Sequence, residues 1–275
     1  MNNKKEINLL GCGWLGFPLA LSLISRGFNV KGSTTSPEKM EVLKRAGIDP
    51  FLVQFDQSLP EPDLTKLLDG DILIVSVPPG RRTADGPDNY KRMGEILTTK
   101  LPKSRISKLI FISSTSVYSD SNSALTEISE ISPQTASAKI IAEIEKSLLA
   151  LPIQVIILRL AGLFGPGRSP GRFFSGKTNI PNGLAPVNMI HQEEVVSLIN
   201  SLIDSDSASG VYIGSTPSHP TKEEFYTLAA HIDKLPEPDF IPEKLSWKIV
   251  ESERVEKELG FIYKFPNLID RLNNL

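Results

Sequence analysis

The apolar run Ile7–Leu10 leads directly into Gly11-Cys12-Gly13-Trp14-Leu15-Gly16, and a helical pattern follows until Gly27 ends it. Glycines at that spacing between a strand and a helix leave the chain few options. Gly11 permits a tight turn, Gly13 lets a ligand approach the backbone, and Gly16 lets the helix pack closely on the strand. The helix opening there aims free N–H groups and the positive end of its dipole at the loop, which suits a pyrophosphate. The expectation is a βαβ unit that binds a dinucleotide, with Gly11, Cys12, Gly13, Trp14, Leu15 and Gly16 as its phosphate loop. The plainer alternative is a glycine turn that only joins strand to helix; the flanking strand and helix pattern favours the dinucleotide reading over it. Cys12 reads as a small buried filler, because no histidine lies near it in sequence to activate a thiolate.

Further short apolar runs continue the pattern: residues 28–33, 51–55, 71–77, 108–113 and 155–160 read as strands, with helical stretches between them. Ser36-Pro37-Glu38 forms a cap, a first-turn proline and a first-turn acid, and Gly47 closes that helix. Strands apolar on both faces and separated by helices imply a parallel sheet covered on both sides. The fold class is therefore a doubly wound α/β, Rossmann-type sheet with a small C-terminal appendage. Residues 1–165 are expected to form the dinucleotide-binding domain, with the sheet completed by about 189–216. Segments 166–188 and 217–275 are expected to form a smaller substrate-binding part, because glycines and prolines from Gly165 to Gly171 break any long element there.

At 275 residues, 40% of them apolar, the chain can bury a large core. A formal charge of -2 provides no field to recruit nucleic acid or an anionic membrane, so any anion must be held locally. One cysteine excludes an internal disulfide, no apolar leader or spanning segment is evident, and a cytoplasmic location is expected. His191, His219 and His231 are scattered, and no metal site is expected.

A dinucleotide site often carries an acid at the end of the second strand to bind a ribose hydroxyl. Here that stretch is Lys31-Gly32-Ser33-Thr34-Thr35-Ser36, without a carboxylate. Its lysine and the hydroxyls of Ser33, Thr34 and Thr35 could accept a 2′-phosphate, the other reading being that the hydroxyls only form the turn and the helix cap; NADP is the expected cofactor and NAD the alternative.

Beyond the glycine loop, Phe111-Ile112-Ser113-Ser114-Thr115-Ser116-Val117-Tyr118 resembles the serine segment of extended short-chain dehydrogenases, which include the nucleotide-sugar epimerases and dehydratases. Leu158 to Gly167 is similar to their strand and loop beside the nicotinamide, and Met189 to Val195 to their later His-acid motif. The combination with Pro166-Gly167-Arg168-Ser169-Pro170-Gly171-Arg172-Phe173-Phe174 looks like the atypical, YeeZ-like branch. The resemblance implies that Asp56 lies at the adenine and that Pro78 and Pro79 line the adenosine pocket. It also implies that Ser113, Leu160 and Ala161 touch the cofactor, and that the molecule is a monomer or a homodimer formed through 89–101 and 137–149.

That family's chemistry uses a serine, a tyrosine and a lysine four residues after the tyrosine. Ser114 and Lys139 match; Thr135 stands where the tyrosine belongs, and its hydroxyl is too weak an acid to exchange protons near neutrality unaided. Tyr118, Tyr90 and His191 are the candidate substitutes. Arg168, Arg172 and His191 are candidates for a small polar or anionic substrate, since arginine forks suit planar anions. Arg81-Arg82 is a further candidate for a phosphate. The expected function is an NADP-dependent oxidoreductase or epimerase/dehydratase-like enzyme on a small molecule. The alternative is a cofactor-binding sensor that lost proton transfer with Thr135, and a weaker third reading is a simple imine or keto reductase prompted by Ile74 to Pro79.

Overall fold

The computed structural model describes residues 5–80 and 85–274. In chain order the elements are β1 (Glu6–Leu10), α1 (Gly16–Ser25), β2 (Asn29–Thr34), α2 (Pro37–Arg45), β3 (Asp49–Leu52), α3 (Thr65–Leu68), β4 (Ile72–Val75), α4 (Gly86–Lys100), β5 (Lys108–Ser114) and β6 (Ser123–Leu125). They continue with α5 (Ala136–Leu149), β7 (Gln154–Leu160), β8 (Gly162–Phe164), β9 (Met189–His191), α6 (Gln192–Asp204), β10 (Gly210–Gly214), α7 (Lys222–Ile232), β11 (Lys248–Val250), α8 (Glu253–Leu259) and α9 (Leu268–Asn273).

A seven-stranded sheet runs in the order β10-β7-β5-β4-β1-β2-β3. The neighbours β3–β2, β2–β1, β1–β4 and β4–β5 pair in parallel. The order turns back at β1, which lies between β4 and β2, so the loops after these strands share one edge of the sheet. The cause is visible in the residues. All of β4 is buried, as are Ile7, Leu9, Leu10 and Leu109 to Phe111, so these strands survive only with cover on both faces. Gly27 and Gly47, which follow α1 and α2, have φ of +87° and +82°, the left-handed conformation that stops a helix without strain in a residue lacking Cβ. The doubly wound α/β fold read from the sequence is the fold adopted.

The chain divides into two compact units, one of residues 1–117, 133–158 and 207–211 and the other of 118–132, 159–206 and 212–275. This differs from the expected boundary at residue 165, since 118–132 and 159–165 fall in the second unit. The short strand β6 explains the first departure, because it pairs with β11 far along the chain. Within the second unit β8 pairs with β9, and Phe164, Val187, Met189, Phe225, Ala229, Leu268 and Leu272 form an apolar core beneath α7 and α9.

Candidate active site

The glycine loop is held from within. Gly11, at φ +102°, donates its N–H to the hydroxyl of Ser33 at 2.8 Å and accepts from the hydroxyl of Ser76 at 2.7 Å. Cys12 N–H donates to the carbonyl of Ser33 at 2.8 Å. Side chains from the ends of β2 and the β4 loop thus fix the turn on both sides. A Cβ on Gly16 would stand 2.0 Å from the carbonyl oxygen of Gly11, so only glycine permits this approach of helix to strand. A Cβ on Gly13 would meet nothing within 4 Å, and that glycine faces solvent. Behind it α1 starts at Gly16, with Leu15 at the N-cap position making no side-chain cap and no acid in the first turn. An open backbone before an uncapped, uncharged helix start fits a pyrophosphate, whose oxygens would take the N–H groups that a cap otherwise takes. Trp14 is half-buried and Leu15 buried. Cys12 is buried, and burial pushes its thiol up to about 12, which makes it inert.

The β2–α2 turn alters the reading of the 2′-phosphate groups. Lys31 turns away, donating to the carbonyl of Asp69 at 2.7 Å and lying 3.5 Å from Glu6. Ser33 is buried and bonded to Gly11, and the Thr34 hydroxyl accepts from Ser36 N–H at 3.1 Å. Ser33 and Thr34 therefore build the turn, and only Thr35 of the three hydroxyls is exposed. Glu38, bonded to the Ser36 hydroxyl, supplies a carboxylate to the same turn, held below its ordinary pKa chiefly by that hydroxyl. Asp56 follows β3 and is exposed; it accepts from the N–H and hydroxyl of Ser58 at 2.8 and 2.6 Å, which lowers its pKa. Pro78 and Pro79 follow β4, the first exposed and the second partly so.

At the end of β5 neighbouring serines part company, as alternate residues of a strand must. Ser113 is buried and donates to Glu145 of α5, itself only 2% exposed. The resemblance implies that Ser113 touches the cofactor; its hydroxyl is engaged in the core. Ser114 is half-buried and accepts from Ser116 N–H at 3.1 Å. Thr135 caps α5, its hydroxyl accepting from Ala138 N–H at 3.2 Å. One turn on, Lys139 is exposed, and its amino group has no hydrogen-bond or ion-pair partner among the described residues. The helix carrying it packs on β5 and on the turn 115–117 that follows Ser114.

In the second unit the two substitute acids are engaged elsewhere. Tyr118 is 2% exposed; its hydroxyl donates to the carbonyl of Thr126 at 3.0 Å and accepts from buried Arg159 at 2.6 Å. The ring and guanidinium also stack at 5.0 Å, so the hydroxyl considered as an acid–base group also anchors a loop. His191, considered above for contact with substrate, is 3% exposed, between Phe164 and Phe265. Its Nδ1 accepts from Glu193 N–H at 3.2 Å as the cap of α6, and Arg271 reaches its Nε2 at 3.1 Å. Burial first, and Arg271 second, lower its pKa to about 4. Leu160 and Ala161 are buried at the end of β7, with Ala161 N–H donating to Gly214 at 3.0 Å. Arg168 and Arg172 are exposed on a loop pinned by Ser169, whose hydroxyl bonds Asp233. Tyr90 is buried in the first unit, and Arg81-Arg82 lies outside the described residues.

No family model matches the chain. A curated relative does: Protein YeeZ of Escherichia coli K12 is 39% identical over 268 residues, covering 96% of this chain and 97% of that protein. The chain belongs to the YeeZ family. Two solved structures share its fold. A short-chain dehydrogenase/reductase superfamily protein from Agrobacterium tumefaciens with bound NAD aligns with TM-score 0.79 at 15% identity, covering 98% of this chain and 95% of that one. UDP-glucuronic acid 4-epimerase from Bacillus cereus in complex with NAD aligns with TM-score 0.79 at 16% identity, covering 97% and 94%.

This YeeZ-family member thus has the extended short-chain dehydrogenase fold. Among its described residues no group of three or more His, Cys, Asp or Glu is arranged to hold a metal, and no helix is long and apolar enough to cross a membrane. Sequence reasoning missed Ser76, Glu38, Arg159 and Arg271. Ser76 had a signal, a lone hydroxyl closing the wholly apolar β4 run, and Glu38 lies two residues from its partner Ser36; Arg159 and Arg271 act through partners remote in sequence.

Proposed function

We propose that this chain binds a nicotinamide dinucleotide along the carboxyl ends of β1 to β5 and acts as an oxidoreductase or epimerase/dehydratase-like enzyme on a small polar substrate. The carrying observation is the loop: Ser33 and Ser76 clasp Gly11, Gly16 meets its carbonyl, and Gly13 stays open before an uncapped helix. Its residues would hold the pyrophosphate, Thr35 and Asp56 the adenosine, and the free cation of Lys139 the nicotinamide ribose. When bound, the cofactor supplies hydride chemistry, and the protein supplies position and electrostatics. Ser114 would orient the substrate, and, within the second unit, Arg168 and Arg172 would bind an anionic group. The NAD-bound epimerase of Bacillus cereus supports this reading by analogy of fold.

For the 2′-phosphate, the support that remains is the exposed Thr35 and a β2 end without a carboxylate, while Glu38 opposes it. Titration with NADPH and NADH, followed by nicotinamide fluorescence in wild type and Gly13→Asp, tests the proposal. Tight NADPH binding lost in a variant that still melts like wild type is the expected result. Failure of both cofactors to bind refutes the site, and a preference for NADH overturns the 2′-phosphate reading alone. A second reading, a cofactor-binding sensor without turnover, is favoured by Thr135 serving as a helix cap. Cofactor-dependent association with another protein, with no turnover that Ser114→Ala and Lys139→Ala abolish, would select it.

A further inference from the structure

The two faces of α7 differ in charge. One side packs under the arginine loop: a Cβ on Gly171 would lie 2.5 Å from the carbonyl oxygen of Ala229, and Phe173 and Phe174 meet the ring of Tyr226. The opposite side, from Thr221 through Glu224 and Leu228 to His231, forms one wall of an open groove of about 790 Å³. Residues 237–240 and Leu184 form the other wall. Four carboxylates line the groove, those of Glu223, Glu224, Glu237 and Asp239. The one ionisable base among the lining residues is His231, which sits 3.1 Å from Glu237.

Between the carboxylates the floor is apolar, made by Leu184, Leu228, Pro238 and Phe240. The strip continues outward. Gly183 and Leu184 N–H donate to Ile241 and Glu243, which lays Ile241 and Leu245 beside Leu184, and the three are 38%, 66% and 42% exposed. A lone metal ion does not need an apolar floor, and a polyamine does not need a strip running on past the groove. An acidic rim over a long apolar floor matches a segment that alternates cations with apolar side chains.

We propose that this groove docks a basic, apolar-bearing segment of a partner protein, with lysine or arginine side chains on Glu223, Glu237 and Asp239 and apolar ones on Leu184 and Leu228. Its place on α7, opposite the arginine loop, makes it a surface separate from the proposed substrate loop. Lysine and arginine fit because a charge-complementary rim steers encounter and rejects acidic competitors.

The test uses the full chain and a fluorescent peptide of alternating lysine and leucine, with a glutamate–leucine peptide and spermidine as comparators, read by anisotropy. The expected result is saturable binding of the lysine–leucine peptide, weakened about tenfold or more by the double substitution Glu223→Lys/Glu237→Lys and by added salt. Leu184→Ser, at an exposed position, should weaken it separately while circular dichroism stays unchanged. Equal binding of the acidic peptide overturns the proposal, as does indifference to both variants. Competition by spermidine as effective as by the peptide would reassign the groove to small cations. A concentration-dependent dimer in sedimentation, abolished by the double substitution, would make a second copy of this chain the occupant and refute a foreign partner.

Discussion

In the glycine loop, Ser33 and Ser76 turn inward to hold the backbone, and the surface they shape is left bare at Gly13. At the groups considered for proton transfer the reverse holds: Thr135 caps a helix, Tyr118 is closed over by Arg159 and Thr126, and His191 is buried between aromatic rings. The difference teaches that a reactive side chain must be judged by what its hydrogen bonds already serve. A hydroxyl bound to a helix N–H stabilises the fold; a backbone that nothing fills is available to a ligand.

The comparison breaks first at Gly16. A methyl group there must displace backbone, so Gly16→Ala should cost about 3 kcal/mol or more and abolish cofactor binding, whereas Gly13→Ala should leave the melting temperature near wild type. Chemical denaturation of the pair checks this, and equal stability of the two would remove the distinction between held and open glycines.

The next effect is on pH. His191 has a folded pKa of about 4 against 6.5 when unfolded, so below pH 6.5 the unfolded chain takes up the proton first. Stability from this group is present above pH 6.5 and falls as the pH drops towards 4, by up to about 3 kcal/mol. Buried Glu194 has a raised pKa, mainly from burial, and its sign is opposite: it regains some stability near the acid end of that window. Melting curves between pH 7 and 5 should therefore show the loss, and His191→Asn, which keeps an acceptor for Glu193 N–H, should flatten it. An unflattened curve would free His191 from its structural assignment.

Smaller effects sharpen the rest. Tyr118→Phe removes one acceptor from Arg159 and one donor from the Thr126 carbonyl, and should cost about 2 kcal/mol in urea melts while leaving any turnover unchanged. A large loss of turnover without loss of stability would return Tyr118 to catalysis. Thr135→Ala should cost about 1 kcal/mol, and Thr135→Ser almost nothing, as expected for a cap. Identical losses in both variants would show that the hydroxyl contributes nothing to α5.

The long strands were legible because β1, β4 and β5 are continuous apolar runs, and the glycine loop because its spacing lies within one short window. The three-residue strands β6 and β11 were not, since neither has room for a period and each is defined by a partner far along the chain. The same limit hid the roles of Ser113 and Ser114. A strand buried on both faces carries no polar alternation, so nothing in Phe111 to Thr115 says which serine faces Glu145. Tyr118 and His191 lie in segments that resemble a family's motifs, and the partners that engage them, Arg159 for the first and Phe164, Phe265 and Arg271 for the second, are linked to them by no local pattern.

Gly32 has one more consequence. A Cβ on it would fall 2.4 Å from the sulfur of Cys12, so the strand lies directly against the chain's single thiol. That thiol belongs to the glycine loop and is buried, which shields it from reaction. Its alkylation rate is therefore a built-in clock for loop opening, readable in the unmodified protein, and any molecule that settles on the loop must slow it.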